Sequence, residues 1–191
     1  MSVVALVLAA GQGSRFGGDK RRALLADGRS LLQHSVERAL AVFDEVRVVL
    51  RAGEQAEDLG LPTGCRIVVS PEAGRGMGHS LAAGVASLDD CAAEAVAIVL
   101  GDMPWIQART FCRLIEAVSP TAIVVPRHRE QNGHPVLFGR TYWPELTRLA
   151  GDEGARSMLQ RHRQQLRVVE VDDTGVLRDV DTPAALTARS L

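Results

Sequence analysis

At 191 residues the chain can bury a large core, and a formal net charge of −1 excludes the strongly basic footprint of a nucleic-acid binder. It is 46% hydrophobic but only 4% aromatic, so that core must be built from Val, Leu, Ala and Ile. Three cysteines at no metal-ligand spacing, no apolar segment of membrane-spanning length and no basic n-region before the first apolar run predict a cytoplasmic protein without membrane or nucleic-acid partners.

The first apolar run, Val3–Ala9, has the length and branching of a buried strand. It empties into a glycine-rich loop (Gly11, Gly13, Gly17, Gly18) that carries Arg15 and Lys20. Leu31, Leu32, Ser35, Val36, Ala39 and Leu40 then share one helical face, and Val46–Leu50 and Arg66–Val69 read as strands. A second glycine-rich turn, Pro71–Ser80, leads into a helical face formed by Leu81, Ala82, Val85, Ala86 and Leu88. Ala95–Leu100 is strand-like, Phe111, Leu114, Ile115 and Val118 are helical, and Ala122–Val125, Pro135–Phe138 and Leu166–Val171 are strand-like. This alternation predicts an α/β fold around a mostly parallel sheet covered on both faces. Past Pro126 the polar segment RHREQNGHP reads as a loop, and the less regular order after it predicts a partly antiparallel addition to the same sheet. One domain is expected over 1–191.

Ligands of open α/β sheets sit at the carboxyl ends of strands, so the ends after Ala9, Ser70, Leu100 and Val125 are the ones to inspect. Glycines let backbone N–H groups approach a phosphate, and Arg15 and Lys20 add neutralising charge. The loop is not a dinucleotide fingerprint, because the second strand ends in Leu50–Arg51–Ala52 without the ribose-binding acid. Nor is it a P-loop, since Gly18 is followed by Asp19–Lys20–Arg21 and no Ser or Thr. Asp102, just past a buried strand, is placed either to hold a metal bridging phosphate oxygens or to form the turn before Pro104. Asp179 and Asp181 alternate onto one side of an extended segment, with Pro183 positioned to start a final helix. The turn around Gly76–Ser80 can lie against a base or ribose, His79 reads as an exposed loop histidine, and His134 stands in a tight turn where it can position an anion. The Arg161–Arg163 cluster reads as a solvated helix end.

Together these stretches resemble a family. LAAGQGSRFGGDK (Leu8–Lys20) is similar to the signature of nucleotidyltransferases that join a nucleoside monophosphate to a phosphorylated acceptor and release pyrophosphate. GRGMGHSLAAGV, VLGDMP, NGHPVLF, LAGDEGARSML and DVDTP follow in the order of the MobA/MocA-like branch, which includes molybdenum cofactor cytidylyltransferase. The resemblance implies a Rossmann-like three-layer sandwich with a mixed central sheet, its N-terminal half binding nucleotide and its C-terminal part binding acceptor. It implies nucleotide contacts at Leu8, Ala9, Ala10, Gly11, Gly13, Ser14, Lys20, Gly76 and Ser80, with Arg15, Lys20 and Asp102 catalytic. Asp102 and Asp181 would hold Mg²⁺, and His134, Asp152 and Arg156 would face the acceptor. Ala10, giving LAAG rather than LAGG, tilts the donor from GTP toward CTP. The acceptor implied is a molybdopterin-type cofactor, with transient contact to a molybdoenzyme or its chaperone. Alternatives are the same chemistry with GTP or on a sugar or polyol phosphate, a non-catalytic cofactor carrier, and, last, an NADP(H) oxidoreductase. Departures from the pattern are Arg21–Arg22 after Lys20, Met103 after Asp102, and Ser70–Pro71 before the second loop.

Overall fold

The computed structural model describes residues 2–11, 13 and 16–187. Strand β1 (Val3–Leu8) has parallel neighbours on both edges, β2 (Glu45–Arg51) and β4 (Ala95–Leu100). Strand β3 (Cys65–Ser70) continues the parallel half beyond β2. On the other side β7 (Val136–Gly139) runs antiparallel to β4, and β5 (Ile123–His128) antiparallel to β7. Strand β8 (Leu166–Glu170) lies parallel to β5 on its far edge, since Ile123 partners both Phe138 and Leu166. The sheet is therefore mixed, as expected.

Why β1 is apolar without alternation follows from its position. Val3, Ala5, Val7 and Ala9 pack into one core with Leu32, Val36 and Ala39 of α1 (Leu31–Leu40) and Phe111 and Leu114 of α3 (Ala108–Glu116). Val4, Leu6 and Ala10 pack into a second core on the opposite face. That core contains Leu81 and Val85 of α2 (Met77–Ala86), Leu146 of α4 (Trp143–Leu146) and Met158 of α5 (Ala155–Arg161). A strand buried on both faces needs hydrophobic residues at every position. Each fully buried Leu or Val stabilises the fold by about 1.5–3 kcal/mol.

The segment after Pro126 is not the loop expected from its polarity. Strand β5 runs on to His128, turns at Arg129 and Glu130 (φ 47° and 66°), and pairs antiparallel with β6 (Gln131–Asn132). The Pro126 carbonyl accepts from the Gly133 N–H at 2.9 Å, so the missing proline N–H does not break the pairing.

From β1 the chain moves outward to β2 and β3, then returns to place β4 on β1's other side. This reversal makes the ends of β1 and β4 a topological switch point, where such sheets leave a crevice. The segment after β8 is pinned to that place. Buried Asp173 accepts from the N–H groups of Gln107 and Gly175 (2.9 Å each) and from Thr110 Oγ1 (2.6 Å). The Val180 N–H then donates to the Asp102 carbonyl at 3.1 Å, just before α6 (Pro183–Thr187). No described helix is long and apolar enough to cross a membrane.

Candidate functional site

A cleft of about 430 Å³ opens at the switch point. The end of β1 contributes Leu8, Ala9, Ala10 and Gly11, the loop adds Gly13 and Lys20, and the end of β4 adds Asp102. From the second glycine loop come Gly76 and Ser80. Seven predicted nucleotide contacts from the first motif and two from the second thus reduce, for the described residues, to one wall each of a single cavity. Ser14 and Arg15 lie outside the described residues.

Lys20 is the centre of the charge arrangement. Its Nζ donates to Asp102 Oδ2 at 2.6 Å, to the Val180 carbonyl at 3.2 Å and to Asp181 Oδ1 at 3.3 Å. Burial pulls its pKa down, but the hydrogen bonds and charges of Asp102 and then Asp181 outweigh that and leave it above the ordinary lysine value. Asp102 Oδ1 is buried and has no hydrogen-bond partner among the described residues. Two carboxylates from distant parts of the chain therefore meet on one ammonium, and one of them keeps a desolvated oxygen in reserve.

The loop itself is held by two arginines that sequence reasoning did not assign to it. Arg21, buried, grips Asp19 (Nε–Oδ1 2.8 Å, Nη2–Oδ2 2.7 Å) and Glu54 (Nη1–Oε2 2.8 Å), and donates to the Ala9 carbonyl at 2.8 Å. Burial opposes its charge, but the hydrogen bonds of Glu54 and Asp19 raise its pKa further. Arg51 donates to the carbonyls of Ala10 (3.2 Å) and Gly11, and its own N–H donates to Glu54 Oε2 at 3.0 Å. With three successive carbonyls drawn to the arginines, planar trans peptides turn the N–H groups of Ala10 and Gly11 the opposite way. That leaves backbone donors oriented away from cations, the arrangement an anion needs. The only sequence signal for this clamp was negative: Arg21 interrupted an apolar approach, and Arg51 stood where an acid was missing.

The second loop meets a third segment. Gly78 N–H donates to the Gly151 carbonyl at 2.8 Å. A Cβ at Gly76 would lie 2.2 Å from that carbonyl oxygen, at φ +126°, and one at Gly78 would lie 2.7 Å from the carbonyls of Ala150 and Glu153. This contact brings Asp152 onto the first cleft, beside Gly76, rather than onto a separate acceptor wall. His134 and Arg156 instead line a second cavity of about 620 Å³. His79 is half-buried, its Nδ1 3.3 Å from Glu72, not an open loop residue. Met103 is buried in the core, so its departure from the family pattern falls outside the cleft.

Residues 5–166 match the MobA-like NTP transferase domain. Purine catabolism protein PucB of Bacillus subtilis (strain 168) is 31% identical over 191 aligned residues, which cover 95% of this chain and 92% of that protein. Nicotine blue oxidoreductase of Paenarthrobacter nicotinovorans is 30% identical over 194, covering 94% and 92%. Among solved structures, Rv0371c of Mycobacterium tuberculosis H37Rv superposes with a TM-score of 0.84 at 30% identity, covering 97% of this chain and 95% of that one. A structure of the same protein in complex with manganese gives 0.80 at 28%, covering 97% and 96%.

Proposed function

Because the chain belongs to the MobA-like NTP transferase family, we propose that it is a single-domain, Mg²⁺-dependent cytidylyltransferase that moves CMP from CTP onto a molybdopterin-type acceptor in the cytoplasm. The observation that carries the transferase reading is the Lys20 ammonium clasped by Asp102 and Asp181 at the switch-point cleft. A protein that only bound nucleotide would have no use for two converging carboxylates.

The residues fit a hard divalent cation. Asp102 and Asp181 supply carboxylate oxygens around one point, and Asp102 Oδ1 lacks any other partner. Among the described residues no cluster of three or more acids, histidines or cysteines could hold a metal by itself. Two carboxylates completed by substrate phosphates and water is how Mg²⁺ is commonly bound. When bound, such an ion neutralises charge on the phosphate oxygens. The manganese complex of the Mycobacterium tuberculosis relative supports a divalent ion in the same fold.

In the reaction a terminal phosphate oxygen of the acceptor attacks the α-phosphorus of CTP in line. The bond from that phosphorus to the bridging oxygen breaks, and pyrophosphate leaves with the electron pair. The N–H groups of Ala10 and Gly11 receive phosphate oxygens, and Lys20, exchanged from the carboxylates, faces the triphosphate. Arg15 would add a second cation. Positioning and charge neutralisation suffice, with no covalent intermediate on the protein. The choice of CTP rests on Ala10, and that of the acceptor on the six motifs in register.

Pyrophosphate release with CTP and GTP in parallel, with and without molybdopterin and Mg²⁺, tests this reading. Release expected only with CTP, molybdopterin and Mg²⁺ together supports it. Turnover with GTP, or only with a sugar phosphate, replaces the donor or the acceptor. Stoichiometric molybdopterin binding without release makes the protein a carrier.

The relative named nicotine blue oxidoreductase favours a second reading, with NADP(H) in the cleft. The residue available for a 2′-phosphate was Arg51, and it is committed to the carbonyls of Ala10 and Gly11. A fluorescence titration with NADPH decides the matter: saturable binding would revive this reading.

A further inference from the structure

The two ends of the sheet are finished differently. At one end β6 is only two residues long, and β8 carries the exposed charges Arg167 and Glu170. Leu166 and Val169 of β8 pack against the two cores, and the Arg167 guanidinium donates to the Ala117 carbonyl at 2.6 Å. At the other end β3 pairs with β2 in an unbroken register and has no strand on its outer side. Among the described residues no backbone hydrogen bond links residues 65–70 to anything but β2, so the outward N–H and C=O groups are unpaired.

Strand β3 also lacks the devices that keep an edge strand single, for it contains no proline, no lysine and no bulge. Its one charge, Arg66, leans inward across the sheet to Glu45 and Asp90, 3.4 Å from each. Ile67 and Val69, two apart and so on one face, are 37% and 50% exposed, two of the four exposed large apolar residues among those described. The other face of the strand is covered, Val68 packing into the core that α2 closes. A row of free backbone donors and acceptors beside two uncovered β-branched side chains is a template for another strand.

We propose that this edge pairs, antiparallel, with β3 of a second copy of the chain, joining two sheets across a two-fold axis at Val68. Charge selects the copy and the direction. Arg66 stands near the start of the strand and Glu72 just past its end, 59% and 52% exposed. Parallel pairing would set like charges side by side, whereas antiparallel pairing brings Arg66 of each copy diagonally toward Glu72 of the other. With the axis at Val68, Ile67 faces Val69 of the second copy, so four apolar side chains form one patch, and Arg66 faces Ser70. With the axis one residue earlier, Arg66 would face Val68 and the patch would be split. A strand pair of this length is small beside the about 1,000 Å² that a lasting interface buries, so the dimer is weak, with a Kd on the order of tens of micromolar. None of this rests on the transferase reading.

Sedimentation velocity of the full chain, over a concentration series that spans that range, tests the pairing. A reversible monomer–dimer equilibrium without larger species is expected, because a two-fold contact closes on itself. Val69→Lys places a guard charge on the uncovered face and should weaken dimerisation about tenfold or more at an unchanged urea midpoint. Ile67→Thr/Val69→Thr keeps strand-forming side chains, removes the patch, and should weaken it less. Hydrogen exchange distinguishes strand pairing from association through an apolar face. At dimer-forming concentration, amides within residues 65–70 should slow in the wild type and not in Val69→Lys. A chain that stays monomeric throughout overturns the proposal and leaves the edge to a strand of some other protein. A dimer that both variants leave intact, an open-ended series of oligomers, or a dimer without exchange protection in β3 overturns it equally.

Discussion

The two glycine-rich loops look alike in sequence and are built on opposite principles. Around Gly11 the space is open: an added Cβ would meet nothing within 4 Å. The loop is held from outside, by Arg21 and Arg51 drawing on its carbonyls and by Glu54 joining the two arginines. Around Gly78 there is no space, because the backbone of Ala150 and Glu153 would lie 2.7 Å from an added Cβ. Gly11 has room beside it for a ligand's oxygen, whereas the space beside Gly78 is already filled by the protein.

The largest effect expected belongs to the open loop. Lys20→Ala should lower CTP-dependent pyrophosphate release about 10²–10³-fold, the usual loss for a transition-state charge contact. The same variant should bind Mn²⁺ more tightly than wild type in the absence of nucleotide, since the ammonium no longer holds Asp102 and Asp181. Electron paramagnetic resonance of free Mn²⁺ reads this directly, and weaker binding would show that Lys20 and the metal do not share that place. Asp102→Ala should lose a similar factor in rate and lose the Mn²⁺ site as well; near-normal turnover would remove it from the metal assignment.

Next comes the closed loop. Gly78→Ala forces backbone against backbone and should cost about 1–3 kcal/mol in urea denaturation, with CTP affinity of the folded fraction unchanged. Gly11→Ala should do the reverse, leaving stability within about 0.5 kcal/mol while weakening CTP binding measurably. A destabilised Gly11→Ala or a stable Gly78→Ala breaks the comparison.

The smallest effect concerns the clamp. The Arg21 hydrogen bond, partly opposed by burial, holds the Glu54 carboxyl below its usual pKa, and Asp19 is lowered by Arg21 in the same way. A carboxylate with a depressed folded pKa contributes stability that is present above its unfolded value and is lost as pH falls through the folded one. Stability should therefore decline below the ordinary Glu and Asp values of 4.5 and 3.8. Glu54→Gln should flatten that acid limb, seen as a smaller shift of urea midpoint between neutral and acid pH. An unchanged limb would mean that Glu54 is equally ionised folded and unfolded.

Much of this was legible in the chain. The unbroken apolar run of β1 announced a strand buried on both faces, and Lys20, Asp102 and Asp181 were each marked by a strand end or an alternation. Their convergence, across 82 and 161 positions, was not a local property and came only with the resemblance. The β5–β6 hairpin was illegible because its turn uses Arg129 and Glu130 at positive φ, where glycine or asparagine would have signalled it. Arg163 is exposed, as its basic neighbours suggested, but that Glu145 engages Arg161 and His162 depends on packing of α4 against the turn after α5 and was not legible. That Asp152 borders the first cleft was illegible for a similar reason, since only the contact between Gly76, Gly78 and Gly151 shows which cavity it lines.

The pinning of Val180 to Asp102 has a consequence for manufacture. Sheet pairing ends at Glu170 and the family match at residue 166, yet Asp181 comes later still. On the transferase reading, a product that stops between Val180 and Asp181 keeps every sheet pairing and the buried Val176 and Val180 but lacks the second carboxylate, so it is expected to fold without a complete centre. Soluble expression is then no certificate of a working centre, and an assay of cation binding is the quality control such preparations require.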